Sequence, residues 1–254
     1  RFNDYNEAIN AFDYAIAINT NEYFRHLYKG LTLKDLDRKE EAIEELFLAN
    51  KYNQENITPL IEIGNLYMDE REYKKAIDIY KDLLEKGEDY EKQDYYFNIS
   101  LCYFSLGKKA LGEKYEKLAL DECYDFSLMT NFAKELYLNG FKDESENIFQ
   151  DLLLNEDDDV VVEATVTLAY LYKNDGNLLQ AIQILKDSIH NITSSNIALY
   201  YCLLDIASYD KKFNDFASKL ILDVLANFSI SAKTIIKRCP NLSKNKILIN
   251  YIKE

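Results

Sequence analysis

Three alanines, Ala8, Ala42 and Ala76, follow one another at intervals of 34 residues, and Gly30 and Gly64 keep the same interval. Small residues recurring at a fixed long spacing constrain a chain strongly. Each interval must hold one supersecondary unit stacked on its neighbours, with the small site where two backbones come close. Ser100, Ala133 and Ala169 carry one small position onward, and Gly112, Ser145, Ala181 and Ala217 carry the other. Between these two series Gly107, Gly140 and Gly176 recur where a turn is needed. The later spacings are 33 to 36, so one or two residues have been gained or lost in connecting loops.

The pattern is clearest over 57–88. Leu60, Ile63, Leu66 and Tyr67 recur at three and four residues, the period of a helix with one buried face. Gly64 sits inside that helix, where glycine costs about 1 kcal/mol relative to alanine, so close helix approach is expected there. The polar run Asp69-Glu70-Arg71-Glu72 ends it, and Tyr73, Ala76, Ile77, Tyr80, Leu83 and Leu84 mark a second helix. Leu60, Ile63, Gly64, Tyr67, Tyr73, Ala76 and Tyr80 resemble the tetratricopeptide repeat, a helix–turn–helix of 34 residues. The family's tryptophan is Leu60 here, and its terminal proline is Glu88. The resemblance covers the chain to about Phe228. It implies an all-α fold, a right-handed α-solenoid of stacked antiparallel helix hairpins.

The expected organisation is a solenoid over 1–228. A partial repeat spans 1–20, followed by six repeats near 23–54, 57–88, 93–123, 127–157, 161–193 and 197–227. The partial repeat, with Tyr5, Ala8, Phe12 and Ala15, looks like a second helix without its first, as in a fragment of a longer chain. Pro59 falls in the first turn of its helix, where a missing N–H is harmless. Asp205 stands where the last repeat should have a small residue. Residues 229–254 read as two short helices, Ser231–Arg238 and Leu242–Lys253, around Pro240. They would cover the last apolar face, as a solenoid end must be covered.

Charge bears on partners. The net charge is −14, yet 226–254 carries six cations against Glu254, a local +5 that leaves −19 on the remainder. Binding to nucleic acid through a basic surface is disfavoured, and a neutral or basic protein or peptide is favoured over an acidic one. No apolar run is long enough to insert in a membrane, and there is no signal-like start. Cys102, Cys123, Cys202 and Cys239 form no CxxC pair and read as buried reduced thiols, which favours the cytoplasm.

Chemistry is hard to place. His26 occupies the family's tryptophan position in its repeat and reads as a packing residue, and His190 lies near a helix end, where a cation suits the dipole. No phosphate loop, GxGxxG or nucleophile elbow is present. The acidic run Glu156-Asp157-Asp158-Asp159 lacks the spaced ligands and central glycine of a calcium loop and fits a helix N-terminus instead. The expectation is a protein without catalytic residues, cofactor or metal.

In the family the first helices of the repeats line a concave groove. By resemblance that groove would present Asn65, Asn98 and Asn131, together with Lys134, Phe97, Phe104, Tyr137 and Tyr170. An asparagine amide both donates and accepts, so it can pair with an extended peptide backbone whatever the peptide's side chains. The same asparagines also fit the chain's general richness in that residue, and aromatics at helical spacing fit ordinary packing. A second family mode grips a C-terminal carboxylate through cations. Here Ile61, Ser127 and Asn131 fill the cationic places, so that mode is expected to be absent. The reading is a non-enzymatic scaffold holding a peptide or protein segment in the groove. Two others stand beside it: the ligand- or peptide-sensing domain of a regulator whose effector domain lies elsewhere, and a self-assembly module.

Overall fold

The computed structural model describes residues 2–86, 92–121, 123–192 and 196–253. Fifteen α-helices and no strand lie among them. The chain divides into two compact units, Arg1–Cys123 and Tyr124–Glu254. The first holds α1 (Phe2–Ile18), α2 (Tyr23–Asp35), α3 (Lys39–Tyr52), α4 (Thr58–Asp69), α5 (Tyr73–Lys86), α6 (Lys92–Ser105) and α7 (Lys109–Leu120). The second holds α8 (Phe126–Leu138), α9 (Lys142–Leu153), α10 (Asp158–Asn174), α11 (Leu178–Asn191), α12 (Ile197–Ala207), α13 (Asn214–Asn227), α14 (Ala232–Arg238) and α15 (Lys246–Lys253). Each unit is an all-α solenoid of helix hairpins, consecutive helices packing on one another. The expected repeat ends Glu88 and Thr193 lie outside the described residues.

Why the hairpins close is visible at their turns. Gly107, Gly140 and Gly176 have φ of 70, 91 and 80°, the left-handed region open to glycine. After each, the chain makes one further bond back into the helix: Lys108 N–H to Tyr103 O, Phe141 N–H to Leu136 O, and Asn177 N–H to Tyr172 O. With the bonds Gly107 to Phe104, Gly140 to Tyr137 and Gly176 to Lys173, these are Schellman motifs, which satisfy the last carbonyls of a helix. The first two full hairpins make the same motif without glycine. Asp37 and Arg71 take φ of 58 and 59°, and Arg38 and Glu72 donate back to Leu33 and Tyr67. The sequence at those two places, Asp35-Leu36-Asp37-Arg38-Lys39 and Asp69-Glu70-Arg71-Glu72, is charged and holds no glycine to mark the turn.

Small residues mark where paired helices touch. A Cβ on Gly30 would lie 2.8 Å from Leu46, on Gly64 2.8 Å from the Tyr80 ring, and on Gly112 2.6 Å from the Phe104 ring. Where serine replaces alanine or glycine, its hydroxyl crosses the hairpin. Ser100 Oγ donates to the Gly112 carbonyl at 2.9 Å, and Ser145 Oγ to the Ala133 carbonyl at 2.6 Å. Both hydroxyls are fully buried, and a buried hydroxyl needs such a partner. Ala42, Ala76, Ala133, Ala169, Ala181 and Ala217 are buried as well, whereas Ala8 is half-buried beside buried Ile9.

Caps follow the sequence chemistry. Pro59 lies in the first turn of α4. The Asp157 side chain accepts from Asp159 N–H at 2.9 Å and caps α10, which accounts for the acidic run. Ser231 caps α14 in the same way. The terminal segment departs from expectation in detail. Pro240–Lys244 is a 3-10 turn, so the last helix starts at Lys246 rather than Leu242. Ala232, Ile235, Cys239, Leu242 and Leu248 join the core of the second unit, and the segment covers apolar surface as a cap does.

Candidate functional site

The eight candidate groove residues separate into four in each unit. In the first, Asn65 on α4 is exposed and Asn98 on α6 is half-buried. Phe97 and Phe104 are buried; Phe104 lies against Gly112, where its ring fills the space that an absent Cβ leaves. In the second, Asn131 and Lys134 on α8 are exposed, Tyr137 is buried and Tyr170 on α10 is 37% exposed. Tyr137 donates to Asp175 at 2.7 Å and meets Tyr172 edge-on. The repeat register leaves the four aromatics open either to line the groove or to pack between helices. Phe97, Phe104 and Tyr137 are packing side chains, and Tyr170 alone of the four opens to solvent.

Within the second unit the first helices of successive hairpins touch: α8 packs on α10 and α10 on α12. Two cavities open along this face. One, of about 330 Å³, is walled by Asn131, Lys134 and Leu138 of α8 and by Val166, Thr167 and Tyr170 of α10. The other, of about 340 Å³, is lined by Val166, Tyr170, Tyr201, Cys202 and Asp205, together with the exposed Arg238 of α14. Val166 and Tyr170 line both. The structure therefore brings Asn131, Lys134 and Tyr170 to one cavity.

Of the second cavity's lining, Tyr201, Asp205 and Arg238 lie outside the groove positions that the repeat register implies. Asp205, expected as a misfit at a small site, forms an ion pair with Lys173 at 2.8 Å. Lys173 Nζ lies 5.2 Å from the Tyr170 ring centre and 4.6 Å from that of Tyr209, so its charge is held between two aromatic faces. Arg238 is positioned over Tyr201, 5.9 Å from the ring centre. It belongs to no repeat position; only the packing of α14 on α12 places it there. Desolvation, with the Cys202 thiol and Asp205 close by, raises the Tyr170 hydroxyl above its ordinary range. Burial pushes the Cys202 thiol up to about 12. Both groups are neutral near pH 7 and act only as weak or uncharged hydrogen-bonding partners.

The remaining candidates are structural. His26 is buried, its Nδ1 2.7 Å from Glu45 and its Nε2 3.0 Å from the Thr20 carbonyl. Lys29 joins the same carboxylate at 2.6 Å and reaches Asp13 at 2.6 Å, so these charges tie α1, α2 and α3 together. His190 lies in the last turn of α11. Cys102, Cys202 and Cys239 are buried, while Cys123 is half-buried; none of the four is in a disulfide. No group of three or more His, Cys, Asp or Glu side chains suited to a metal occurs among the described residues. No helix among them is long and apolar enough to cross a membrane.

No family model and no curated protein matches the sequence. Solved structures do. The chain is similar to a tetratricopeptide repeat protein from Parabacteroides merdae, at 20% identity and a TM-score of 0.50, covering 99% of this chain and 92% of that one. It is also similar to the C-terminal part of a tetratricopeptide repeat-containing protein from Cytophaga hutchinsonii, at 16% identity and a TM-score of 0.55, covering 99% and 96%. With its Schellman-closed hairpins and paired small sites, this chain has the fold of the tetratricopeptide repeat proteins.

Proposed function

We propose that the chain is a non-enzymatic interaction scaffold and that a peptide or protein segment lies extended along the α8–α10–α12 face. The observation carrying this reading is the pair of adjoining cavities that share Val166 and Tyr170. A segment crossing Tyr170 can place successive side chains in the two cavities while its backbone pairs with the exposed Asn131 amide and the Thr167 hydroxyl. In the first unit Asn65 and Asn98 serve backbone pairing in the same way. Phe97, Phe104 and Tyr137 hold the helices that carry these groups. The partner is neutral or basic overall, because a chain of net charge −14 repels an acidic one at long range. The reduced, mostly buried thiols suit a cytoplasmic setting.

The test is affinity panning of a random peptide library, followed by anisotropy measurements on the recovered peptides. Asn131→Ala combined with Thr167→Ala in the second unit, and separately Asn65→Ala combined with Asn98→Ala in the first, should weaken binding to that unit by roughly tenfold or more, about one charge-free hydrogen bond lost per residue. Affinity unchanged in both double variants would refute the groove.

A further inference from the structure

We propose that the C-terminal segment, from α14 through α15, docks the protein on an anionic membrane surface without crossing it. None of the side chains that carry this inference lines either cavity described above, so it stands apart from the groove.

Charge sets the segment apart from the rest of the chain. Residues 224–253 contain six cations and no acid, in a protein whose net charge is −14. Lys233, Lys237, Lys244 and Lys246 are exposed, and none of the four forms an ion pair among the described residues. Lysines of the repeats are used otherwise: Lys29, Lys34, Lys39 and Lys173 hold Glu45, Glu62, Glu70 and Asp205 at 2.6, 2.7, 2.7 and 2.8 Å. The helix α14, the 3-10 turn and α15 pack on one another, so the four unpaired lysines belong to one small group of elements. The helix α13, which packs on α15, adds Asp215, Lys219 and Asp223, a net charge of only −1. Attraction between such charges and an anionic surface needs no fixed side-chain orientation, and each lysine near that surface tightens binding roughly fivefold. The acidic remainder does not cancel this. The Debye length is about 8 Å at physiological salt, so acids farther than that from the lipid are screened.

Apolar side chains decide between lipid and another polyanion. Leu248 is fully buried and joins α15 to the core. The same face of the helix runs on past it: Tyr251 and Ile252, three and four residues later, are 50% and 39% exposed. A nucleic acid or an acidic peptide gains little from an exposed isoleucine. The boundary between headgroups and acyl chains takes up both an aliphatic side chain and the amphipathic ring of a tyrosine. With eight residues α15 is too short to hold a membrane by its apolar face alone, and no helix among the described residues is long and apolar enough to cross one. Stable binding at a surface takes two signals, and here the cations are one and the two shallow anchors the other. The partner is therefore a bilayer surface rich in anionic lipid. The segment that covers apolar core also sets where the scaffold sits.

The experiment is co-sedimentation of the full chain with vesicles of phosphatidylcholine, with and without phosphatidylserine. Binding to the phosphatidylserine vesicles should be roughly a hundredfold tighter at physiological salt and should fall as salt is raised. Replacing Lys233, Lys237, Lys244 and Lys246 together by glutamine should abolish the preference. Tyr251→Ser with Ile252→Ser should weaken binding by roughly tenfold. No sedimentation with either vesicle, equal sedimentation with both, or a preference that survives the four glutamines would overturn the proposal. Full binding by the double serine variant would mark a general polyanion surface, which a nucleic acid fits as well, and would overturn the assignment to lipid. Circular dichroism and melting check the fold of each variant. If the fourfold variant is disturbed, the salt dependence of the wild type and the Lys244→Gln/Lys246→Gln variant decide, and binding indifferent to both would overturn the proposal.

Discussion

The Tyr80 hydroxyl donates a 2.8 Å hydrogen bond to the side-chain oxygen of Asn65, across the hairpin of α4 and α5. Tyr80 is fully buried, and its ring fills the space left by Gly64, whose Cβ would come within 2.8 Å of it. The three residues work together: glycine admits the ring, and the ring delivers its hydroxyl to the asparagine. Asn65 therefore has its oxygen engaged and its amide N–H groups presented to solvent. Asn65→Ala should lower stability by about 1–3 kcal/mol, because it strands the Tyr80 hydroxyl, whereas Tyr80→Phe should cost about 0.5–1.5 kcal/mol. Urea unfolding of both variants and of the double variant measures the coupling. No loss in Asn65→Ala would mean that the bond carries no stability.

The turn and contact glycines separate two uses of the residue. Gly112→Ala forces a Cβ to 2.6 Å from the Phe104 ring, so the ring or the helix must shift, at a cost of about 1–3 kcal/mol. Arg71→Gly works in the opposite direction. It removes an L side chain from a φ of 59°, where the cost is about 1–2 kcal/mol, offset in part by the greater freedom of glycine in the unfolded chain. A gain of up to about 1 kcal/mol is expected. Chemical denaturation of the two variants under one buffer should show midpoints moving apart.

Alkaline pH should weaken the fold. Burial pushes the Cys102 and Cys202 thiols up to about 12 and Cys239 up to about 11, from an ordinary 9.0. Between those values the unfolded chain has released the proton and the folded chain still holds it, so unfolding is favoured as pH rises. Their contribution is full below about pH 9 and lost progressively up to about pH 12. Each thiol contributes a slope of up to about 1.4 kcal/mol per pH unit in that window. Urea midpoints between pH 7.5 and pH 11 should fall, and should fall less steeply in a Cys102→Ala/Cys202→Ala/Cys239→Ala variant. Parallel slopes would show that the thiols are not the cause.

Tyr137 on α8 and Tyr170 on α10 should answer mutation differently. Tyr137→Ala removes a buried ring and its bond to Asp175, and should cost about 3–5 kcal/mol. Tyr170→Ala removes a partly exposed wall common to both cavities. It should cost about 1 kcal/mol of stability and weaken peptide binding by roughly tenfold. Thermal melting beside peptide anisotropy separates the two effects; equal destabilisation would make Tyr170 a core residue like Tyr137.

The hairpins were legible in the sequence because their causes are local. Small residues at a fixed spacing, apolar positions at three and four, and glycine at a left-handed turn act within one repeat, so their signals survive in the linear order. That is why Gly107, Gly140 and Gly176 could be assigned to turns, and the run Glu156-Asp157-Asp158-Asp159 to a helix N-terminus, before any coordinates. The site was less legible. Asn131, Lys134 and Tyr170 follow from repeat register, but register is blind to depth: Phe104 and Tyr137 share a repeat position assigned to the groove and both are buried, Tyr137 against Tyr172.

Sequence alone determined that this chain folds as stacked helix hairpins, because one amphipathic hairpin cannot bury its own apolar face and the same hairpin recurs along the chain. Tertiary structure alone decided which side chains wall the second cavity. Asp205 is neutralised by Lys173 from the preceding hairpin, and Arg238 reaches the cavity from a terminal helix outside the repeats. Both depend on distances between segments remote in the chain, which no repeat pattern encodes.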